Sequence, residues 1–189
     1  MQDKMIKPHI VRTVGSMWPR WSRLEFDVVE ADATAPSKMS LVWNEPKWKV
    51  YYFYPKDFTF LCPTEIVDFD NLVPEFEKLN AVVIGISPDN EYCKLAWKQS
   101  NPLLTNLKHT LLADISNMLA LECGIMTEEG IPLRATYIVD PDDIIQHVSV
   151  NNDRVGRNAA EVLRVLDACQ RSTDGSLCPA ARPVGGDTI

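Results

Sequence analysis

The run Trp48-Lys49-Val50-Tyr51-Tyr52-Phe53-Tyr54, closed by Pro55 and followed by Cys62-Pro63-Thr64-Glu65, decides how the rest of the chain reads. From 48 to 54 the residues are almost all β-branched or aromatic, the composition of a strand covered on both faces. Pro55 ends it. After a turn at Lys56 and Asp57, the apolar residues Ile66, Phe69, Val73 and Phe76 recur at intervals of three and four, which places them on one helical face. Pro63 suits the first turn of that helix, where its missing N–H has no partner to lose. Pro74 lies inside the pattern and should kink or divide it.

Downstream, Ala81 to Ser87 reads as a second buried strand and Asn90 to about Gln99 as a helix, so the order is that of a βαβ unit. His109 to Leu112 is a candidate short strand, and Ser116 to Cys123 a helix ended by Gly124. Ala135 to Asp140 and Ile144 to Val150 flank Pro141-Asp142-Asp143 and read as a hairpin. Asn158 to Ser172 is an amphipathic helix with Val162, Leu163, Leu166 and Cys169 facing inward. Upstream, Met1 to about Lys47 carries Pro8, Pro19, Pro36 and Pro46 and reads as loops and short strands whose tryptophans pack on a larger body. The expectation is one α/β domain, residues 1–172, followed by a polar, flexible tail, residues 173–189.

Composition narrows the function. At 189 residues, with 46% hydrophobic and 24% charged, the chain can bury a core without disulfides or metals. The net charge of −7 argues against nucleic acid or an anionic membrane as main partner. No apolar run approaches the roughly 18 residues of a membrane span, and Met1 to Thr13 is too polar for a secretory signal, so the cytoplasm is the expected compartment. Five cysteines at wide spacings (Cys62, Cys93, Cys123, Cys169, Cys178), with no CxxC and only three histidines, fit neither a disulfide framework nor a structural zinc site. If a cysteine matters, it matters as a thiol. Cys93, Cys123 and Cys169 fall within helical patterns and read as packing residues.

Cys62 stands where a strand gives way to a helix N-terminus. Backbone N–H groups and the macrodipole there favour an anion, which a thiolate is. A free thiol with a pKa of about 8.5 is only about 3% ionised at pH 7, so a site that favours the thiolate gains more than tenfold in nucleophile. Taken alone, Cys62 could equally be a small core hydrophobe.

Its neighbours decide between these. Pro55, Thr59 and Cys62 form PxxxTxxC, and Tyr54 to Glu65 closely resembles the active-site segment of the peroxiredoxins, thiol peroxidases of thioredoxin-like fold with a central mixed β-sheet flanked by helices. The resemblance continues at Trp97, at Leu133 to Asp140, at Val155-Gly156-Arg157-Asn158 and at Cys178-Pro179-Ala180, covering about Trp48 to Ala180. It implies that Cys62 is the peroxidatic cysteine, attacking the O–O bond and becoming a sulfenic acid. Thr59 would hydrogen-bond the peroxide, Arg134 would stabilise the moving negative charge, and Pro55 would shield the thiolate from water. Glu65 would orient Arg134, with Arg157 in the same network, although each could be a surface charge; Trp97 would be a wall of the site, or a core or interface tryptophan. Leu177-Cys178-Pro179-Ala180 resembles the resolving segment of typical two-cysteine members, which implies an intersubunit disulfide in a homodimer or a ring of dimers. The expected substrates are hydrogen peroxide and organic hydroperoxides, with no metal, haem or flavin cofactor. Thioredoxin, a flavin-dependent disulfide reductase or a small adaptor thiol protein would be the reductant.

The chain departs from the family pattern in places. The block Val14 to Pro19 matches the usual opening only loosely, and the segment ahead of Cys62 is some ten residues longer than the pattern, which leaves the first strand unplaced. No Gly-Gly-Leu-Gly lies between Trp97 and Leu112, and no Tyr-Phe pair follows Cys178. Both absences point to the bacterial alkyl hydroperoxide reductase type, with little covering structure over the site. Two rivals fit less well. A thioredoxin-type disulfide oxidoreductase would need a second cysteine at the CxxC position, which is Glu65. A non-catalytic holdase or redox signalling scaffold on the same fold would differ in failing to consume peroxide.

Overall fold

A computed structural model describes residues 11–19 and 25–189. Most of the polar opening and Trp21 therefore lie outside the described residues. At its centre is β3 (Trp48–Phe53), all six residues buried. Because side chains alternate along a strand, β3 serves two cores at once. Trp48, Val50 and Tyr52 join one, and Tyr51 and Phe53 the other. Lys49 shares the second face, and its ammonium is held by Asp143 Oδ1 and the Asp140 carbonyl, each at 2.7 Å.

The chain then runs through α1 (Cys62–Asn71) and α2 (Val73–Lys78) into β4 (Ala81–Ser87), and through α3 (Glu91–Ser100) into β5 (Thr110–Ala113). β3, β4 and β5 pair in parallel, as the βαβ reading requires. Pro74 does divide the helix: α1 stops at Asn71, and Pro74 occupies the opening turn of α2. The helix expected over 116–123 is shorter, α4 (Met118–Glu122), because Asn117 takes a left-handed conformation (φ 56°) and Asp114 receives the Leu119 and Ala120 N–H groups.

β6 (Arg134–Val139) and β7 (Ile145–Asn151) form the expected antiparallel hairpin. Asp140 Oδ1 accepts the N–H groups of Asp142 and Ile144 at 2.9 Å each, closing the turn, and Asp143 takes the positive φ. The N-terminal region yields two strands that the sequence left unplaced, β1 (Glu25–Val29) and β2 (Ser37–Ser40). The sheet is mixed, in the order β2-β1-β5-β4-β3-β6-β7. Trp18 stacks on Tyr51 at 4.2 Å between ring centroids and seals the second core.

α5 (Ala159–Arg171) is capped by Asn158, whose side chain accepts the Glu161 N–H, and buries Val162, Leu163 and Leu166 against the first core beside α1. A 3-10 turn (Ser172–Asp174) follows and Gly175 ends it at φ 91°. The tail beyond is not the flexible arm its polarity suggests. Leu177 and Ile189 exchange two backbone hydrogen bonds at 2.9 Å, and Arg182 is buried against Asp167 of α5, so this polar segment docks through ions where apolar residues are few. Among the described residues no helix is long and apolar enough to cross a membrane.

Candidate active site

Cys62 is the first residue of α1, reached from β3 by the loop that carries Pro55 and Thr59, and its side chain is fully buried. Arg134 opens β6, next to β3 in the sheet, which brings its guanidinium to the sulfur: Nη1 donates to Cys62 Sγ at 3.3 Å. Burial by itself would lower the Arg134 pKa, but the hydrogen bond to Cys62 and the charge of Glu65 more than offset it, and the net shift is upward. A permanent cation therefore faces the sulfur.

Glu65, one turn into α1, holds that cation. Its Oε2 accepts from Arg134 Nη1, and its Oε1 accepts from Arg157 Nε at 2.8 Å and from the Arg157 N–H at 2.9 Å. Arg157 also donates to the Phe53 and Ala135 carbonyls at 2.7 and 2.9 Å, so it ties β3 to β6 from beneath. Arg134 Nε donates to the Asp153 carbonyl at 2.6 Å, which leaves its plane little freedom. All three charged residues are buried. The surface-charge reading of Glu65 and Arg157 does not hold.

Pro55 is buried, and Thr59 is half-buried with its hydroxyl donating to the Lys56 carbonyl at 3.0 Å. Trp97, from α3, is 2% exposed and lies 6.4 Å from the Tyr54 ring and 5.8 Å from the Phe58 ring. It backs the loop and belongs to the first core. Cys178 stands apart from the others, its Sγ donating to the Ala168 carbonyl of α5 at 3.3 Å.

One buried polar cluster escaped the sequence reading. Asp57 accepts from Tyr54 Oη at 2.8 Å and from Ser87 Oγ at 3.2 Å, and Lys94 of α3 reaches it at 3.5 Å. Asp89 Oδ2 takes the Asp57 N–H at 2.8 Å. Burial pushes the Asp57 carboxyl up and the Lys94 ammonium down. The signal was the spacing of Lys94, Trp97 and Lys98, which puts two lysines on the inward face of α3. Asp57, Asp89 and Cys93 present ligand atoms within 4.8 Å of one another, but Lys94 already supplies the positive charge there. Cys93 thus belongs to a polar cluster and not to the apolar packing expected of it, whereas Cys123 lies in the second core.

A thiol at a helix N-terminus under a fixed guanidinium is a nucleophile with a charge acceptor in place, and the model of the AhpC/TSA family matches residues 24–148. The chain belongs to that family. Alkyl hydroperoxide reductase C of Mycolicibacterium smegmatis is 38% identical over 184 residues, covering 94% of this chain and 93% of its own. Peroxiredoxin-2 of Bos taurus is 40% identical over 170 residues, covering 87% and 85%. Among solved structures, reduced 2-Cys peroxiredoxin of Plasmodium vivax superposes with a TM-score of 0.84 at 34% identity, over 93% of this chain and 92% of that one. Mycobacterium tuberculosis AhpC gives 0.80 at 36% identity, over 90% and 98%. The thioredoxin-like mixed sheet expected from the sequence is the fold of this AhpC/TSA member, and the chain is a thiol-dependent hydroperoxide reductase.

Proposed function

We propose that Cys62 is the peroxidatic cysteine of a two-cysteine cycle, a reading carried by Arg134 Nη1 lying 3.3 Å from Cys62 Sγ at the N-terminal residue of α1. The Cys62 thiolate attacks the terminal peroxide oxygen, the O–O bond breaks, and the electron pair leaves on the departing oxygen as water or an alcohol forms. Charge moves off sulfur during that step. Arg134, preoriented by Glu65, Arg157 and the Asp153 carbonyl, follows it without reorganising, and Thr59 turns its hydroxyl from Lys56 to the peroxide. Pro55 and Trp97 exclude water from one side.

In the second half-reaction Cys178 of a second copy attacks the Cys62 sulfenic acid, releasing water and forming an intersubunit disulfide. Because Cys62 is fully buried, the first turn of α1 must open locally before the two sulfurs meet. Residues 173–189 act as the arm that delivers Cys178. A homodimer is supported by β7, which ends the sheet: among the described residues no further named strand pairs with its outer edge, which Gly15 and Ser16 bond at Ile145. Rings of dimers, a cytoplasmic setting, and reduction by thioredoxin, a flavin-dependent disulfide reductase or an adaptor thiol protein complete the proposal. The substrates are hydrogen peroxide and organic hydroperoxides.

The test is peroxide consumption by the full chain with each candidate reductant, beside Cys62→Ser. Consumption that disappears in the variant is expected, since serine is a poor nucleophile at neutral pH and has no sulfenic acid. Turnover equal to wild type in Cys62→Ser would overturn the assignment.

A further inference from the structure

The cycle above uses two of the five cysteines. Cys123 is sealed in the second core, its thiol pushed up to about 12 by burial. Cys169 is placed differently. It lies near the end of α5, packed against the first core as expected of it but partly exposed, and the tail lays Cys178 against that same stretch of helix, where Cys178 Sγ bonds the carbonyl of the preceding residue, Ala168. The two thiols line one open groove of about 290 Å³, together with Val165, Ala168, Ser172 and Pro179. Burial pushes the Cys169 thiol up to about 11, and the charge of the neighbouring Cys178 adds to the rise.

We propose that Cys169 is a second resolving thiol, which takes Cys178 out of its disulfide with Cys62 and holds it as an intrachain Cys169–Cys178 disulfide. This rests on the reading of Cys62 and Cys178 given above. The Cys169 thiolate attacks Cys178 Sγ, the Cys62–Cys178 bond breaks, and its electron pair leaves on Cys62 as a thiolate. The proton lost by Cys169 goes to solvent. One disulfide is exchanged for another, so no oxidant is needed beyond the peroxide already reduced.

The packing gives the exchange its direction. To reach a second copy's Cys62 the tail must leave α5, losing the Cys178 bond to Ala168, the Arg182 pair with Asp167 and the Gly185 N–H bond to the same carboxylate. Transfer of Cys178 to Cys169 lets the tail dock again. It also frees Cys62 to return under Arg134 as the first residue of α1. Closing so short a loop between two residues of one chain is entropically cheap. A thiol with a pKa near 11 is ionised to about one part in ten thousand at pH 7, so Cys169 is a poor direct target for peroxide and reacts with the Cys62–Cys178 disulfide only as the tail swings back toward α5 and brings Cys178 beside it. The reductant then meets a disulfide in the α5 groove and not at Cys62.

Trypsin cuts after Arg171, which separates Cys169 (peptide Val165–Arg171) from Cys178 (peptide Ser172–Ile189), and it leaves Cys62 on Asp57–Lys78. The full chain is treated with one equivalent of hydrogen peroxide, quenched in acid over time, and mapped without reduction. The Cys62–Cys178 link should appear first as a dimer on a non-reducing gel and then give way to the Cys169–Cys178 link in a monomer, while Cys169→Ser should stop at the dimer. A wild-type chain that keeps the Cys62–Cys178 link with Cys169 still alkylatable would overturn the proposal and leave the two-cysteine cycle intact. A Cys169→Ser chain that never forms the Cys62–Cys178 link would overturn both. Formation of the Cys169–Cys178 link at an undiminished rate in Cys62→Ser would also overturn it, because the link would then not pass through Cys62.

Discussion

Asp167 and Arg182 form an ion pair at 2.5 Å with both side chains buried, and this pair fastens the segment carrying Cys178 to α5. The Gly185 N–H donates to the same carboxylate oxygen at 2.9 Å, and Arg182 Nε donates to the Gly186 carbonyl at 2.9 Å. The pair therefore stands between the docked tail and the released one.

Removing Arg182 takes away the close partner of the buried Asp167 carboxylate and leaves it Arg171 at 3.8 Å, which weakens the docked state. In Arg182→Ala that penalty falls on the docked tail alone. Alkylation of Cys178 in the reduced protein should become several-fold faster, with the far-UV circular dichroism of the wild type retained. An unchanged alkylation rate would show that docking does not depend on the pair.

The same carboxylate gives the docking a pH signature. Burial alone would raise the Asp167 pKa, but the Gly185 N–H and the Arg182 guanidinium hold it below the ordinary carboxylate value. A folded-state pKa below the unfolded one means that the contribution to stability is present above about pH 4 and is lost as pH falls through the depressed value. The loss of urea stability between pH 5 and pH 3 should be smaller in Asp167→Asn than in wild type. Equal losses would remove Asp167 from the acid response.

Arg134→Ala should slow the reaction of Cys62 with peroxide by about a hundredfold, the scale of losing one preorganised donor. Arg134→Lys should recover little of it. A single ammonium cannot reproduce the bonds that the guanidinium makes at once to Cys62, Glu65 and the Asp153 carbonyl. Stopped-flow measurement of the second-order rate constant decides, and a lysine variant at wild-type speed would reduce the role of Arg134 to its charge.

Lys94→Met leaves Asp57 in a buried cluster without its cation and should lower stability to urea by about 3 kcal/mol. Adding Asp57→Asn should return part of that loss, because the uncompensated charge is gone. The peroxide rate should fall as well, since Asp57 anchors the loop that carries Pro55 and Thr59. Additive losses in the double variant would mean that the two groups do not interact.

No helix follows the 3-10 turn that ends at Asp174, and the final eleven residues contain two prolines, two glycines and no aromatic residue. The tail is held by an ion pair and a few backbone bonds, so release should outrun a second attack by peroxide. Intact mass after turnover at rising peroxide should show disulfide, with little addition of two oxygens at micromolar concentrations. Arg182→Ala should lower the sulfinic fraction further.

The strand at 48–54, the helices on either side of Pro74 and the cysteine at the strand-to-helix junction were legible in the sequence because each depends on local rules: side-chain periodicity, the fixed φ of proline and helix-terminal electrostatics. The αβ order and the 134–151 hairpin were legible for the same reason. Whether Glu65 and Arg157 were solvated or buried could not be read, because a charge at a helix end looks the same in sequence either way; only the meeting of α1, β6 and the loop before α5 puts one carboxylate between two guanidiniums. The strands β1 and β2 depend on pairing with each other and with β5, far along the chain, and so have little local signature. The tail shows the limit most plainly. Its composition is that of a loose arm, and what docks it is the burial of Arg182 against Asp167, an ion pair whose strength comes from the low-dielectric surroundings that the tertiary fold supplies.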